Sequence, residues 1–150
     1  SMTGLVTRAR SLLARHSERI RGRQFLEAVM AAGALVATAD GEVSLPELLS
    51  RDAVLERVDA LQAFDSRIAA RSFESFVADI AADPKAGSER ALAAVRRFGN
   101  DAEAAQLLLR AAVAIAKADA RFSIEEQRTV ARLCEALGME ELDLGAEESA

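Results

Sequence analysis

Two short segments of the sequence repeat one acidic pattern. "VATADGEVSLPE" at 36–47 and "IAKADARFSIEE" at 115–126 each leave an alanine-rich apolar stretch through Ala-Asp, then three residues, Ser, and Glu three positions later. Asp40, Ser44 and Glu47 thus correspond to Asp119, Ser123 and Glu126 at a constant interval of 79 residues. Ser-x-x-Glu is a capping box, in which the Ser side chain accepts from a backbone N–H and the Glu reaches back to the cap residue's N–H. Such a cap stabilises by roughly 1 kcal/mol and requires no function. It leaves Asp40 and Asp119 unexplained. Each stands where a helix is expected to end, beside the negative pole of the macrodipole, where an acid is disfavoured by about 0.3–1 kcal/mol. A cation nearby, either a basic side chain or a metal ion, would remove the conflict. Lys117 and Arg121 flank Asp119, but nothing equivalent flanks Asp40.

The donors available to such an ion are Asp40, Glu42, Glu47, Asp119 and Glu126, with Gly41, Ser44 and Ser123 as hinge and cap residues. Oxygen-only donors suit a hard divalent cation, Ca²⁺, Mg²⁺ or Mn²⁺. The pattern is no EF-hand, whose ligands span a loop of about twelve residues; Asp40 to Glu47 is an interval of seven. Zinc and Cys-His chemistry are not expected, because the chain has one His, His16, in an arginine-rich stretch, and one Cys, Cys134, between leucines. Cys134 reads as a buried, inert thiol. Paired carboxylates can serve hydrolysis, yet neither hinge carries basic residues arranged to position a substrate, so a non-catalytic protein is expected.

The elements that must hold these residues are helical. The chain's 150 residues fit one domain with a real core, and eight Gly and two Pro against abundant Ala, Leu, Arg and Glu indicate an all-α protein. Periodicity predicts a weakly amphipathic basic helix over 5–20, a break at "RGRQ" (21–24), and a strongly apolar helix over 25–39. After the first hinge, Ser44 opens a helix that continues to about residue 61, with Pro46 in its first turn. Further helices are expected over 66–82, 89–98, 101–118 and 123–137, with "DPKAGS" (83–88) as a turn and Gly99–Asn100 and Gly138 as stops. In the 101–118 helix, Leu107, Leu108, Ala111, Ala112, Ile115 and Ala116 are expected to face inward. The sum is a compact bundle of about seven helices holding two pseudo-symmetric helix–acidic hinge–helix units. Residues 1–20 read as a basic extension, 21–139 as the helical domain and 140–150 as an acidic tail.

The net charge of −5 is uneven. Arg8, Arg10, Arg15, Arg19, Arg21 and Arg23 crowd one end, and the other end is acidic. An arginine-rich helix can associate reversibly with anionic lipid; that gives the competing reading, a peripheral membrane scaffold whose Ser-x-x-Glu motifs are caps only. Nucleic acid is not an expected partner, because the charge is negative and no aromatics are interleaved with the basic stretch. Residues 1–24 hold no continuous apolar core for a secretory signal, and residues 25–39 are too few to span a membrane, which takes about 20.

Three stretches together resemble the tellurite-resistance TerB family: "ATADGEVS", "EAAQLLLRAAVAIAKAD" at 103–119 and "FSIEEQRTVARLCEALGM" at 122–139. The resemblance runs from about Arg21 to the end of the chain. It implies a small, all-helical cytoplasmic protein of tellurium-oxyanion and general stress-response systems, with duplicated acidic motifs that bind metal and with no established catalytic activity. It further implies a TerC-type membrane protein at the inner membrane and TerD-type calcium-binding proteins as partners. The residues that carry over are Asp40, Glu47, Asp119 and Glu126. The second hinge departs from the family pattern, with Ala120 where Gly is usual, so the second half-site is expected to be weaker or structural.

Overall fold

The computed structural model describes residues 2–41, 66–116 and 121–140. Among the described residues there are five helices and no strand: α1 (Met2–Ala37), α2 (Ser66–Ala82), α3 (Pro84–Arg96), α4 (Ala102–Ala116) and α5 (Ile124–Ala136). The all-α expectation holds. The helix expected after Ser44 lies outside the described residues.

α1 is one unbroken helix of 36 residues, so the break expected at "RGRQ" is absent. Arg21, Arg23 and Gln24 are good helix formers, and a single interior Gly costs only about 1 kcal/mol. Burial of the segment that follows offsets that cost: every residue from 28 to 37 is buried. This half of α1 is the axis of the bundle and contacts each of the other four helices, α4 most extensively. Around it close Phe73 from α2, Leu108, Leu109 and Ile115 from α4, and Leu133 from α5, all essentially inaccessible to solvent. Phe25 and Phe98 meet edge to face, ring centroids 5.4 Å apart, where the axis begins.

α2 has the bounds that its periodicity predicts. α3 does not, because "DPKAGS" is a helix start rather than a turn. Asp83 alone links the two helices. Its backbone is extended, its Oδ1 accepts from Ala86 N at 3.2 Å, and Pro84 takes the first helical position, where its missing N–H costs nothing. Gly87 lies inside α3, where a Cβ would stand 2.6 Å from backbone atoms of Asp79 and Ile80. The pair is clasped by Arg90, which covers the Phe76 ring at 4.6 Å and forms an ion pair with Asp79.

On α4 the expectation fails at Leu107, which is 60% exposed, whereas Leu108, Ala111, Ala112 and Ile115 are buried as expected and Ala116 partly so. Successive helical residues turn by about 100°, so a Leu-Leu-Leu run cannot face one way. α5 ends in a Schellman motif: Gly138 has φ +67°, Met139 N donates to Cys134 O at 2.8 Å, and Gly138 N donates to Glu135 O at 3.1 Å. Cys134 is a buried thiol, as its sequence neighbours imply.

Candidate functional site at the hinge end

α1 and α4 lie side by side and run the same way. At the start of α4, Asp101 Oδ2 is 2.8 Å from Nη2 of Arg21, near the middle of α1. Farther along, Gly33 of α1 faces α4: a Cβ on it would sit 3.5 Å from Ala112 O and 3.7 Å from Ile115 Cγ2. Contacts at both levels join residues about 80 apart, close to the interval of the repeated motif. α1 ends at Ala37, and Ala116, the last described residue of α4, lies 79 residues on, the same interval that separates Asp40 from Asp119 in the sequence. The first hinge and the last described turn of α4 therefore lie at one end of the bundle. α5 runs back from that end, since its last turn abuts the α3–α4 connection, where a Cβ on Gly99 would meet Ala136 O at 3.2 Å.

The first hinge begins as a turn. Thr38 donates through both N (3.0 Å) and Oγ1 (2.7 Å) to Ala34 O, Ala39 N donates to Val36 O at 3.3 Å, and Gly41 N donates to Thr38 O at 3.2 Å. These bonds satisfy carbonyls that the helix end would leave without partners. Asp40 sits half-buried in this turn. Gly41 has φ +66°, in the left-handed region that favours glycine, and no atom of the described residues would crowd a Cβ there. Its backbone conformation favours glycine.

The second hinge is described from Arg121 onward, and its cap is complete. Ser123 is extended, its Oγ accepts from Glu126 N at 3.1 Å, and its own N donates to Glu126 Oε1 at 2.8 Å. Glu126 is 8% exposed, the one charged side chain among the buried residues described. The Ser-x-x-Glu reading as a capping box is correct here, and one carboxylate oxygen of the candidate ligand Glu126 is spent on it.

Of the five candidate metal ligands, Asp40 and Glu126 lie among the described residues and belong to the same end of the bundle. Glu42, Glu47 and Asp119, with the cap residue Ser44, lie outside the described residues. Among the described residues no group of three or more His, Cys, Asp or Glu side chains is placed to hold a metal ion. Among the described residues the donor chemistry at this end fits a hard cation in kind, with carboxylate oxygens from Asp40 and Glu126. A full coordination shell would need the hinge carboxylates outside the described residues.

At the other end, the arginines divide. Arg21 is tied to Asp101, and Arg8, Arg10 and Arg23 are exposed; the side chains of Arg15 and Arg19 lie outside the described ones. The sequence had marked Arg21 only as a basic surface residue. Its role in setting the register of α1 against α4 had no local signal, because its partner is 80 residues away.

A parallel pair of helices, the first ending in a turn that carries Asp40, inside an all-helical bundle defines a small helical protein whose sequence repeats an acidic motif. The family described as Tellurite resistance protein TerB matches residues 26–147, and the chain belongs to that family. Its function is accordingly related to tellurite resistance. No curated protein and no solved structure matches the chain. Among the described residues, no helix is long and apolar enough to cross a membrane.

Proposed function

We propose that the protein is a non-catalytic, divalent-cation-binding and protein-interaction module of a cytoplasmic tellurite and stress-response system. Its acidic surface forms at the hinge end of the bundle. Asp40, Glu42 and Glu47 contribute from the first hinge, Asp119 and Glu126 from the second. The carrying observation is the parallel packing of α1 and α4, in which Gly33 meets Ala112 and Arg21 meets Asp101, pairs 79 and 80 residues apart. Oxygen donors alone favour Ca²⁺, Mg²⁺ or Mn²⁺. A surface of clustered carboxylates repels an oxyanion, so tellurite is not its direct ligand. TerC-type membrane proteins and TerD-type calcium-binding proteins are the partners that the family suggests. Titration of the metal-stripped protein with each cation by ¹⁵N–¹H NMR, repeated on Asp40→Asn with Asp119→Asn, tests the reading. Saturable shifts at both hinges, lost in the double variant, are expected; their absence at millimolar cation removes the metal site.

A second reading is favoured by the Ser123–Glu126 geometry, in which Glu126 works as a cap. In it both Ser-x-x-Glu motifs are caps only, and the protein acts as a peripheral scaffold at the inner membrane through its basic N-terminal helix.

A further inference from the structure

We propose that the first half of α1 is an amphipathic arm that lies on an anionic lipid surface; this deepens the membrane reading and rests on it. The arm is the same continuous helix that forms the axis of the bundle. Its character changes along its length: every residue from 28 to 37 is buried, whereas every described side chain from 3 to 23 is exposed. Four of the exposed ones are large and apolar: Leu5 (66%), Val6 (48%), Leu12 (58%) and Ile20 (45%). At about 100° per residue they fall within roughly one third of the helix circumference. Arg8 and Arg10 fall about 40° beyond the two edges of that stripe. Thr7, Ser11 and Glu18, all small or acidic, take the opposite side. The stripe stops at Ile20, because Arg23 takes its next position, and Arg21 is held by Asp101 at the root of the arm.

An apolar stripe with a guanidinium on each shoulder matches the layered chemistry of a lipid surface. The leucines enter the acyl boundary while the arginines reach the phosphates beside it. Pairing with a second copy fits less well. Two such stripes face to face bring Arg8 and Arg10 of both copies together, and Glu18 is the one acid in residues 1–26. The charge distribution also orients the molecule. Residues 8–23 hold six of the 19 basic residues and one of the 24 acidic ones, which leaves a net charge of −10 on the remainder. Anionic lipid attracts the arm and repels the body. The hinge end, at the far end of the axis from the arm, then faces away from the membrane.

The test is co-sedimentation of the full chain with vesicles of phosphatidylcholine alone or with about one third phosphatidylserine, at low and high salt. The chain contains no Trp, so Leu12→Trp supplies a single emission to follow. Expected results are pelleting with phosphatidylserine vesicles only, loss of pelleting at high salt, and a blue shift of Trp emission on binding. Leu5→Gln with Leu12→Gln, and Arg8→Gln with Arg10→Gln, each lower the partition coefficient about tenfold or more. Thermal melts of the body stay unchanged, because these side chains are exposed and lie outside the core. Pelleting of the parent chain that both double variants leave intact overturns the arm but spares the membrane reading. No pelleting of the parent chain overturns both. Loss of a sedimentation-velocity dimer in the leucine variant, with no vesicle binding, assigns the stripe to a second copy and overturns the proposal.

Discussion

Arg21 Nη2 lies 2.8 Å from Asp101 Oδ2, joining the root of α1's arm to the residue that caps α4. Asp101 holds two roles at once, because its Oδ1 also accepts from Ala104 N at 3.0 Å. The two roles differ in worth. The ion pair is largely exposed, and such pairs contribute about 0–1 kcal/mol, whereas loss of an Asp cap costs about 1 kcal/mol. Asp101→Asn keeps an acceptor oxygen and loses the charge. We expect Arg21→Ala and Asp101→Asn to stay within about 0.5 kcal/mol of the parent in urea unfolding, and Asp101→Ala to lose about 1 kcal/mol. Equal losses for Asp101→Asn and Asp101→Ala would make the ion pair the dominant partner.

The same logic separates cap from ligand at the second hinge. Glu126 Oε1 accepts from Ser123 N at 2.8 Å, and a glutamine carbonyl can accept in its place. Ser123→Ala is expected to cost about 1 kcal/mol and Glu126→Gln less than half of that. If Glu126 also binds a divalent cation, Glu126→Gln weakens the cation's effect on the melting temperature while leaving the metal-free melting temperature nearly unchanged. A Glu126→Gln variant as unstable as Ser123→Ala, with no cation effect in either protein, would mean the carboxylate is purely structural.

How far the sequence exposes this site follows from which signals are local. The cap at Ser123, the bounds of α2, the stop at Gly138 and burial of Cys134 all depend on residues within a few positions, and each was legible. "DPKAGS" misleads because Pro and Gly punctuate loops in general; here Pro84 sits at the first helical position and Gly87 is required by contact with α2, information held by Asp79 and Ile80. "RGRQ" misleads for a related reason: burial of the following residues carries the helix through Gly22. The common direction of α1 and α4 was legible only as a repeat. The 79-residue interval suggested equivalence, and the Arg21–Asp101 and Gly33–Ala112 contacts convert it into adjacency.

Gly41 and Ala120 occupy equivalent places in the two hinge sequences, and Gly41 has φ +66° with no described residue crowding it. Gly41→Ala therefore meets no clash among the described residues and is penalised by the left-handed backbone, about 1 kcal/mol. Asn tolerates that region better than Ala. The expected order of stability in chemical denaturation is Gly41, then Asn, then Ala. Equal stability of the Ala variant would show that the turn can relax to negative φ, as Ala120 would require of the second hinge.

Two helical glycines face neighbouring helices, and the distance each leaves predicts opposite outcomes for one substitution. At Gly87 a Cβ would lie 2.6 Å from Asp79 C and O and from Ile80 N, all backbone atoms that cannot swing aside. Gly87→Ala must push α3 off α2, disturbing Arg90 over Phe76 as well. Overpacking of this kind costs about 1–3 kcal/mol, against which better helix propensity returns at most about 1 kcal/mol. At Gly33 the nearest atoms would be Ala112 O at 3.5 Å and side-chain carbons of Ile115 and Phe73 at 3.7 Å, ordinary contact distances. Gly33→Ala then gains helix propensity and is expected to stabilise by roughly 0.5–1 kcal/mol. Urea unfolding of both variants decides the matter. A destabilised Gly33→Ala would mean that α1 and α4 approach more closely in solution than these distances allow, and the pairing of Gly33 with Ala112 would then need a different register.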